Sequence, residues 1–468
     1  MAEQIAGFPK NLSFNLRKLS GSVIKQAIVI SSDKSEYKPN DRVMFNFPIG
    51  RMIDTRSVVA TAKCRAGTGN HFPRGGLNSL VENLQINGNS KLYQSTQMYN
   101  YIWNCLADVS GYFSPEQKGK RLYENFDPSL ADTNTNGIGA PAITNNAVII
   151  TGNEEYYFCI NSWLGFLSSS APTLDTNNIG LLQLIITLAP NTALWCGAGA
   201  ATTAVAAADY TISEFNLSMD TITFTNSLYY DLVKQRLEGE GLNVAYNDYL
   251  ISVGRLETKS TSQFTHTAQF STNSLDMVIG TFRHENYNTM GPLLIANATY
   301  SATLASIVGA TKTLPEVQAN PISNEDNHGG FNNSVYFQRC GGGIDSSSWY
   351  INSQPMTNNS TPVQIFNNTL KSLDYANLDI ASGGFHDGVL TSGFYNKNYF
   401  VDCLSLENLS GDNNNWVSGL GGNGGVIQVQ YNFKFAGASV ETKVFPVIIA
   451  KVSKIMNIKI GRNIDIME

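Results

Sequence analysis

Residues 75–108 read GGLNSLVENLQINGNSKLYQSTQMYNYIWNCLAD, from Gly75 to Asp108. Leu80, Leu84 and Ile86 mark a short apolar strand. Asn87-Gly88-Asn89 follow, residue types that tolerate positive φ and so predict a turn. Met98, Ile102 and Cys105 then recur at helical spacing, which predicts a helix over residues 95–106. Strand, turn and Tyr-rich helix stand inside a chain that otherwise reads as strand.

On either side of this segment, side chains alternate with period two. RVMFNFPIG sets Val43, Phe45, Phe47 and Ile49 on one face, and LLQLIITLA does the same with Leu182, Leu184, Ile186 and Leu188. Comparable runs are SVIKQAIVI (22–30), AVIITG (147–152), EYYFCI (155–160), FNLSMDTITFT (215–225), DMVIGTFR (276–283), SVYFQR (334–339), FVDCLSL (400–406) and VIQVQYNFKF (426–435). Two further helices are predicted, at 227–239 with a Gly cap and at 363–375. Many strands at turn-punctuated spacing with few helices predict an all-β fold of sandwich or jelly-roll domains.

The chain has 468 residues, more than one core usually serves, so two domains of about 230 residues each are expected. The helix and Gly-rich turn between Ser227 and Tyr246 divide the strands almost evenly. The expected organisation is an N-terminal arm (1–21), a first β-domain (22–235) and a second (236–468). Polar connections at 114–146, 196–209 and 310–333 are too long for hairpin turns, and insertions of that kind carry surface contacts.

The 75–108 segment resembles the major capsid proteins of double jelly-roll viruses, in the lineage of virophages, polinton-like viruses, adenovirus and PRD1. The matching positions are Gly76, Ser79, Leu80, Val81, Ile86, Gly88, Tyr99, Asn100, Leu106 and Asp108. In the second half, WYINSQPM (349–356) followed by VQIFNNTLKSLDY resembles the corresponding strand, turn and helix, with DMVIGTFR before it. FVDCLSLEN, VIQVQYNF and KVSKIMNIKIGRN look like the closing strands. Asn352 departs from the pattern, standing where a Gly is common. The resemblance implies two tandem eight-stranded jelly rolls and a homotrimer whose six barrels form a pseudo-hexagonal tile of an icosahedral shell around a DNA genome. It also implies contacts with neighbouring capsomers and with minor capsid or penton proteins.

Charged residues make up only 15% of the chain, against roughly 25% in ordinary soluble proteins, so Asn, Ser, Thr and Gln must carry solubility. Such a surface is cheap to desolvate, which suits a protein covered by neighbours. The net charge of −6 excludes a general polyanion binder. One local exception lies between Glu3 and Asp33, where Lys10, Arg17, Lys18 and Lys25 occur without an acid. Ile5, Phe8, Leu12, Leu16 and Leu19 recur there at spacings of three and four. Such an arm either touches an internal membrane or the genome, or docks beneath its own barrel.

No chemistry is expected: no catalytic residues, no metal and no cofactor. Cys64, Cys105, Cys159, Cys196, Cys340 and Cys403 form no CxxC and read as small buried hydrophobes in a reducing compartment. GLGGNG (419–424) matches GxGxxG, but a strand follows it where a nucleotide site needs a helix. Asp326 with His328, and His386 with Asp387, are too few for a metal or triad site. Aromatic clusters at 156–158 and 394–400 read as core or interface. No signal peptide or membrane span is apparent. The expected function is a major capsid protein of a tailless icosahedral DNA virus, located in the virion. The alternatives are a carbohydrate-binding β-sandwich of fibre or lectin type, and a single jelly-roll capsid protein.

Overall fold

A computed structural model describes residues 23–66, 70–73, 75–89, 91–109, 155–196, 210–224, 228–239, 241–285, 287, 335–337, 339–373, 400–407, 419–421, 425–437 and 443–467. The first half carries the principal strands β1 (Val23–Ser31), β2 (Arg42–Asn46), β3 (Met52–Ala66), β4 (Val81–Gly88), β5 (Lys91–Gln97), β6 (Glu155–Ile160), β7 (Leu182–Leu188) and β8 (Tyr210–Phe224). The second carries β9 (Leu242–Val253), β10 (Gln263–Ser271), β11 (Ser274–His284), β12 (Ile344–Ile351), β13 (Gln354–Pro355), β14 (Asp402–Ser405), β15 (Val426–Phe435) and β16 (Lys443–Lys459), with a terminal β17 (Asn463–Met467). Four helices matter below: α1 (Tyr99–Val109), α2 (Phe166–Ser169), α3 (Leu228–Glu238) and α4 (Pro362–Ser372).

Antiparallel pairing orders the first set as β1-β8-β3-β6 and β2-β7-β4-β5. The second set runs β9-β16-β11-β14 and β10-β15-β12-β13. Adding eight to every strand number of the first half reproduces the second. Each half is therefore a jelly roll, in which the chain passes between two facing sheets. Short strands extend the larger sheets, and β17 pairs with the end of β16.

Alternation explains why these segments are strands. In β15, Ile427, Val429, Tyr431, Phe433 and Phe435 are each at most 1% exposed, while Gln428, Gln430, Asn432 and Lys434 point the other way. Phe282 of β11 meets the same core, its ring 4.9 Å from Phe433 and 5.2 Å from Phe435. In β2 the inward residues are Val43 and Phe45, followed by Phe47. Ile49 does not share that face: it lies past the strand in the turn at Gly50 and is 54% exposed.

Two other expectations change. Between the turn and α1 lies a full strand, β5, so the helix begins at Tyr99 rather than residue 95. The strand expected at 334–339 is instead a 3-10 turn, Val335–Phe337, whose Tyr336 and Phe337 pack on Ala189 and Ala193. So short an alternating run cannot tell a strand from a tight turn. The strand expected at 147–152 lies outside the described residues.

The turns obey backbone sterics. Asn89 takes φ 47°, and Gly88 is required for space: a Cβ there would stand 2.3 Å from the Tyr93 ring. Asn352 and Ser353 both adopt positive φ, 49° and 65°, as a two-residue hairpin of mirror type demands. Asn352 tolerates the place of a Gly, and its Oδ1 accepts the Gln428 N–H at 3.0 Å. At the start of α4, Thr361 and Gln364 form a capping box with Pro362 in the first turn.

Two large apolar clusters form, and each takes residues from the other half. Tyr246, Met456, Ile458 and Ile464 enter the first core. Tyr101, Ile102 and Cys105 of α1 enter the second, while Tyr99, Trp103 and Ala107 of the same helix stay in the first. Helix α1 is thus shared between the barrels.

Asp402 is fully enclosed inside the second barrel. Burial lifts its pKa to about 6, against the Ser347 hydroxyl, which donates to it at 2.6 Å. The folded value exceeds the unfolded one, so this group favours the fold below about pH 4 and loses that contribution as pH rises to about 6. Asp402→Asn is expected to raise the melting temperature at pH 7.5, by an amount equivalent to about 3 kcal/mol, with the gain vanishing near pH 4. Thermal melts of both proteins across this range check it. Ile102→Ala should cost about 2–5 kcal/mol in denaturant titration and still unfold in one transition, because both cores lose support together. Two separated transitions would show independent barrels.

Candidate functional site

The two large sheets differ in what covers their outer faces. In β11, Val278, Gly280 and Phe282 point into the second barrel. A Cβ at Gly280 would lie 2.8 Å from the Trp349 ring and 2.9 Å from Tyr431. The alternate residues Met277, Ile279, Thr281 and Arg283 face away from that core, yet none is more than 6% exposed. Helix α1 of the first half and the turn at Val335–Phe337 lie against part of this face, Tyr101, Ile102 and Cys105 of α1 sharing one apolar cluster with Met277 and Ile279. The Arg283 guanidinium lies 5.1 Å from the Tyr101 ring centroid, and its Nη1 lies 3.8 Å from Met98 Sδ.

The edge strand β9 is covered by the same neighbour. Tyr246 donates its hydroxyl hydrogen to the Tyr93 carbonyl at 2.8 Å, and the Asn247 N–H donates to Ser169 Oγ of α2 at 2.7 Å. Thr96 of β5 donates to Asp248 Oδ1 at 3.2 Å. Asp248 also faces Lys454 at 3.2 Å, with side chains only 1% and 9% exposed. Burial pushes the Asp248 pKa up, and the Lys454 ammonium opposes that shift. At the far end, Lys91 bonds to the Ile464 carbonyl, and Arg462 Nε donates to the Asn177 carbonyl at 2.9 Å.

Two buried arginines, Arg283 and Arg339, face each other across an isolated bridge. The Arg283 guanidinium stacks 3.6 Å from the Tyr287 ring centroid and 4.4 Å from that of Tyr336. Tyr336 donates to Glu82, which also accepts from Asn100 of α1 at 3.0 Å. A cation–π stack and a nearby carboxylate thereby tie the second barrel to the first.

On the first barrel, the outer face of β1-β8-β3-β6 is open. Lys25 stands on β1 with its ammonium 2.7 Å from Asp220 and 3.7 Å from Asp54. The Asp220 carboxylate raises its pKa. Lys10, Arg17 and Lys18 lie outside the described residues, so Lys25 is the one arm candidate that can be placed, and it belongs to a strand. Lys63 pairs with Glu155 at 2.5 Å and Glu214 at 3.9 Å, and Tyr157 beside them is 50% exposed. The smaller sheets present amides and hydroxyls instead. Gln183 donates to Asn46 at 2.8 Å, and Thr265 to Asn432 at 2.7 Å, which is where the low charge of the sequence resides.

Catalytic geometry is not assembled at any of these places. Among the described residues, no group of three or more His, Cys, Asp or Glu comes within reach of one metal ion. Burial pushes the Cys64 and Cys403 thiols up, away from the reactive thiolate. Leu420 and Gly421 of the GxGxxG run pair as strand with β11, and the rest of the run from residue 422 lies outside the described residues. The Asp326–His328 and His386–Asp387 pairs also lie outside them. A surface cleft of about 420 Å³ is lined by Asn87, Asn89, Lys91, Leu92 and Gln183 among others, an amide-rich set with one cation. Phe158 and Phe400 are core residues. The shared role of α1 gives no signal in the sequence, since its Asn100–Asn104 stripe reads as a solvent face yet is fully buried.

No protein-family model matches the sequence, and no curated protein matches it. Solved structures do. PBCV-1 VP54, fitted into a reconstruction of the virophage Sputnik, is 12% identical with a TM-score of 0.61, over 95% of this chain and 97% of that one. The PBCV-1 virus capsid gives 13% identity and a TM-score of 0.58, again over 95% and 97%. The Faustovirus major capsid protein gives 10% and 0.53, over 93% of this chain and 91% of that one. At such identities the likeness is one of architecture, and it spans both barrels: the chain has the double jelly-roll fold found in these viral capsid proteins.

Proposed function

We propose that this chain is a major capsid protein of a tailless icosahedral DNA virus, acting by shape and self-association rather than by catalysis. The observation that carries the reading is the repetition of one complete jelly roll within a single chain, matched over nearly its whole length by capsid proteins. Two like barrels in a fixed relation let a small number of identical chains tile a surface. In this reading residues 22–235 and 236–468 are the two barrels, and three chains form a six-barrel capsomer that meets its copies and minor capsid or penton proteins in the virion. Residues 1–21 form an arm toward the genome or an internal membrane.

The charge distribution supports it. Amide-rich outer faces on the smaller sheets can be desolvated against a neighbour at little electrostatic cost.

Light scattering with negative-stain imaging tests the assembly: hexagonal particles of about three chain masses are expected, whereas monomers that bind a glycan array would favour a lectin. Deleting residues 1–20 should leave soluble capsomers while lowering particle yield. Unchanged yield would remove the arm from assembly.

A further inference from the structure

A cation enclosed in a protein is ordinarily paired with a carboxylate, because an unpaired buried charge is costly. Arg283 departs from this. It is the last outward-facing residue of β11, it is 3% exposed, and it makes no ion pair among the described residues. Its Nη1 lies 3.8 Å from Met98 Sδ, whereas Nε and Nη2 are buried without a hydrogen-bond partner. Those two nitrogens carry the parallel donors on the side of a guanidinium, the fork that takes two oxygens of one carboxylate or phosphate. The Tyr287 and Tyr336 rings, 3.6 Å and 4.4 Å away, offset part of the charge but offer ring faces rather than acceptor oxygens. Glu82, the nearby carboxylate, is taken by Tyr336 and Asn100.

A second cation stands directly across. Arg339 is 0% exposed and pairs with Arg283 in an antiparallel bridge, which sets both side chains on one face. Like charges opposite each other repel, and more strongly away from water. Both guanidiniums also act on Tyr101 of α1: burial raises the pKa of its hydroxyl, and the two arginines pull it down. That hydroxyl is itself buried without a hydrogen-bond partner.

We infer that a small oxyanion, of the carboxylate or phosphate class, binds beside Arg283 and Arg339 in the seam between the barrels. Two of its oxygens accept from Arg283 Nε and Nη2, and its charge relieves the repulsion between the arginines. Tyr101 comes from the first half and both arginines from the second, so the ion sits where the halves meet. The surface cleft at Asn87 and Gln183 is a poorer candidate, since its Lys91 already faces Asp465 at 3.6 Å. The inference does not depend on the capsid reading.

The test follows the melting temperature of the full-length chain, purified in chloride, as inorganic phosphate or acetate is added from about 0.1 to about 10 mM at constant ionic strength. A saturable rise of roughly 1–3 °C is expected with at least one of them. Arg283→Lys keeps the charge and loses the fork, so it should move the half-saturating concentration up about tenfold. Arg283→Gln should abolish the rise, and Lys63→Gln on the open face of the first barrel should leave it unchanged. Native mass spectrometry should find one ion per chain, its mass telling phosphate from acetate. A chain that neither retains an ion nor responds to either one would overturn the site. So would a rise that Arg283→Gln leaves intact or, should that variant not fold, one whose half-saturating concentration Arg283→Lys leaves in place.

Discussion

A β-sheet can leave a face to water only if that face is polar, and in the second barrel it is not. Met277 and Ile279 on β11 and Cys403 on β14 point away from their own core, on a sheet already filled on its inner side by Val278, Phe282, Tyr431 and Phe433. Something apolar has to lie on them. Helix α1 does so, and because its opposite side is committed to the first core through Tyr99 and Trp103, the helix sets the relation between the barrels. Removing either set of contacts would expose a large side chain with a transfer cost of roughly 1.5–3 kcal/mol each. The junction is therefore part of the fold, unlike a typical polar surface between mobile domains.

Polar groups then fix the register that apolar packing leaves loose. Hydrophobic burial has no direction, but the hydrogen bonds from Tyr246 to Tyr93, from Asn247 to Ser169 and from Thr96 to Asp248 each accept one placement. The buried Asp248–Lys454 pair adds little net stability, since desolvating two charges offsets most of their attraction. Its effect is selective: a shifted barrel would strand a charge without its partner. On the open face of the first barrel the ion pairs are exposed, and solvent screening leaves pairs such as Lys25 with Asp220 little net effect on stability. Such a face is soluble when free and inexpensive to cover.

Much of this was legible in the sequence, and the exceptions have physical reasons. From Ile427 to Phe435 β15 alternates apolar with polar residues because one of its faces lines the core and the other does not. β5 hides because beside Tyr93 it buries Gln94 and Thr96, both 0% exposed and satisfied by hydrogen bonds that no hydropathy pattern records, while its Leu92 is 50% exposed. The turn at Val335–Phe337 was misread because Tyr336 and Phe337 are buried by tertiary contact with Ala189 and Ala193, not by a sheet. Helical spacing identified α1 through Met98, Ile102 and Cys105. Its second commitment was invisible, since a residue that packs on its own barrel and one that packs on a neighbour look alike in sequence. The basic run ending at Lys25 looked continuous, yet that lysine is a strand residue paired across the sheet with Asp220, because charge runs ignore where a strand begins.

The same blindness explains why interface residues are harder to read than core residues in a repeated fold. Val363 on α4 and Ile102 on α1 are both apolar side chains on short helices that follow the fifth strand of a jelly roll. Only the fold reveals that one is covered and the other is not. A chain made of two barrels with identical flanks on both would offer no rule for which barrel meets which, and its copies could join in several registers. Here the flanks differ: residues Tyr99 to Cys105 of α1 are all buried, Asn100 and Asn104 among them, while α4 leaves Val363, Asn367 and Lys371 exposed. The contact between the barrels is thus written into the polypeptide by the burial of one flank, while the corresponding flank of the other barrel is left to solvent.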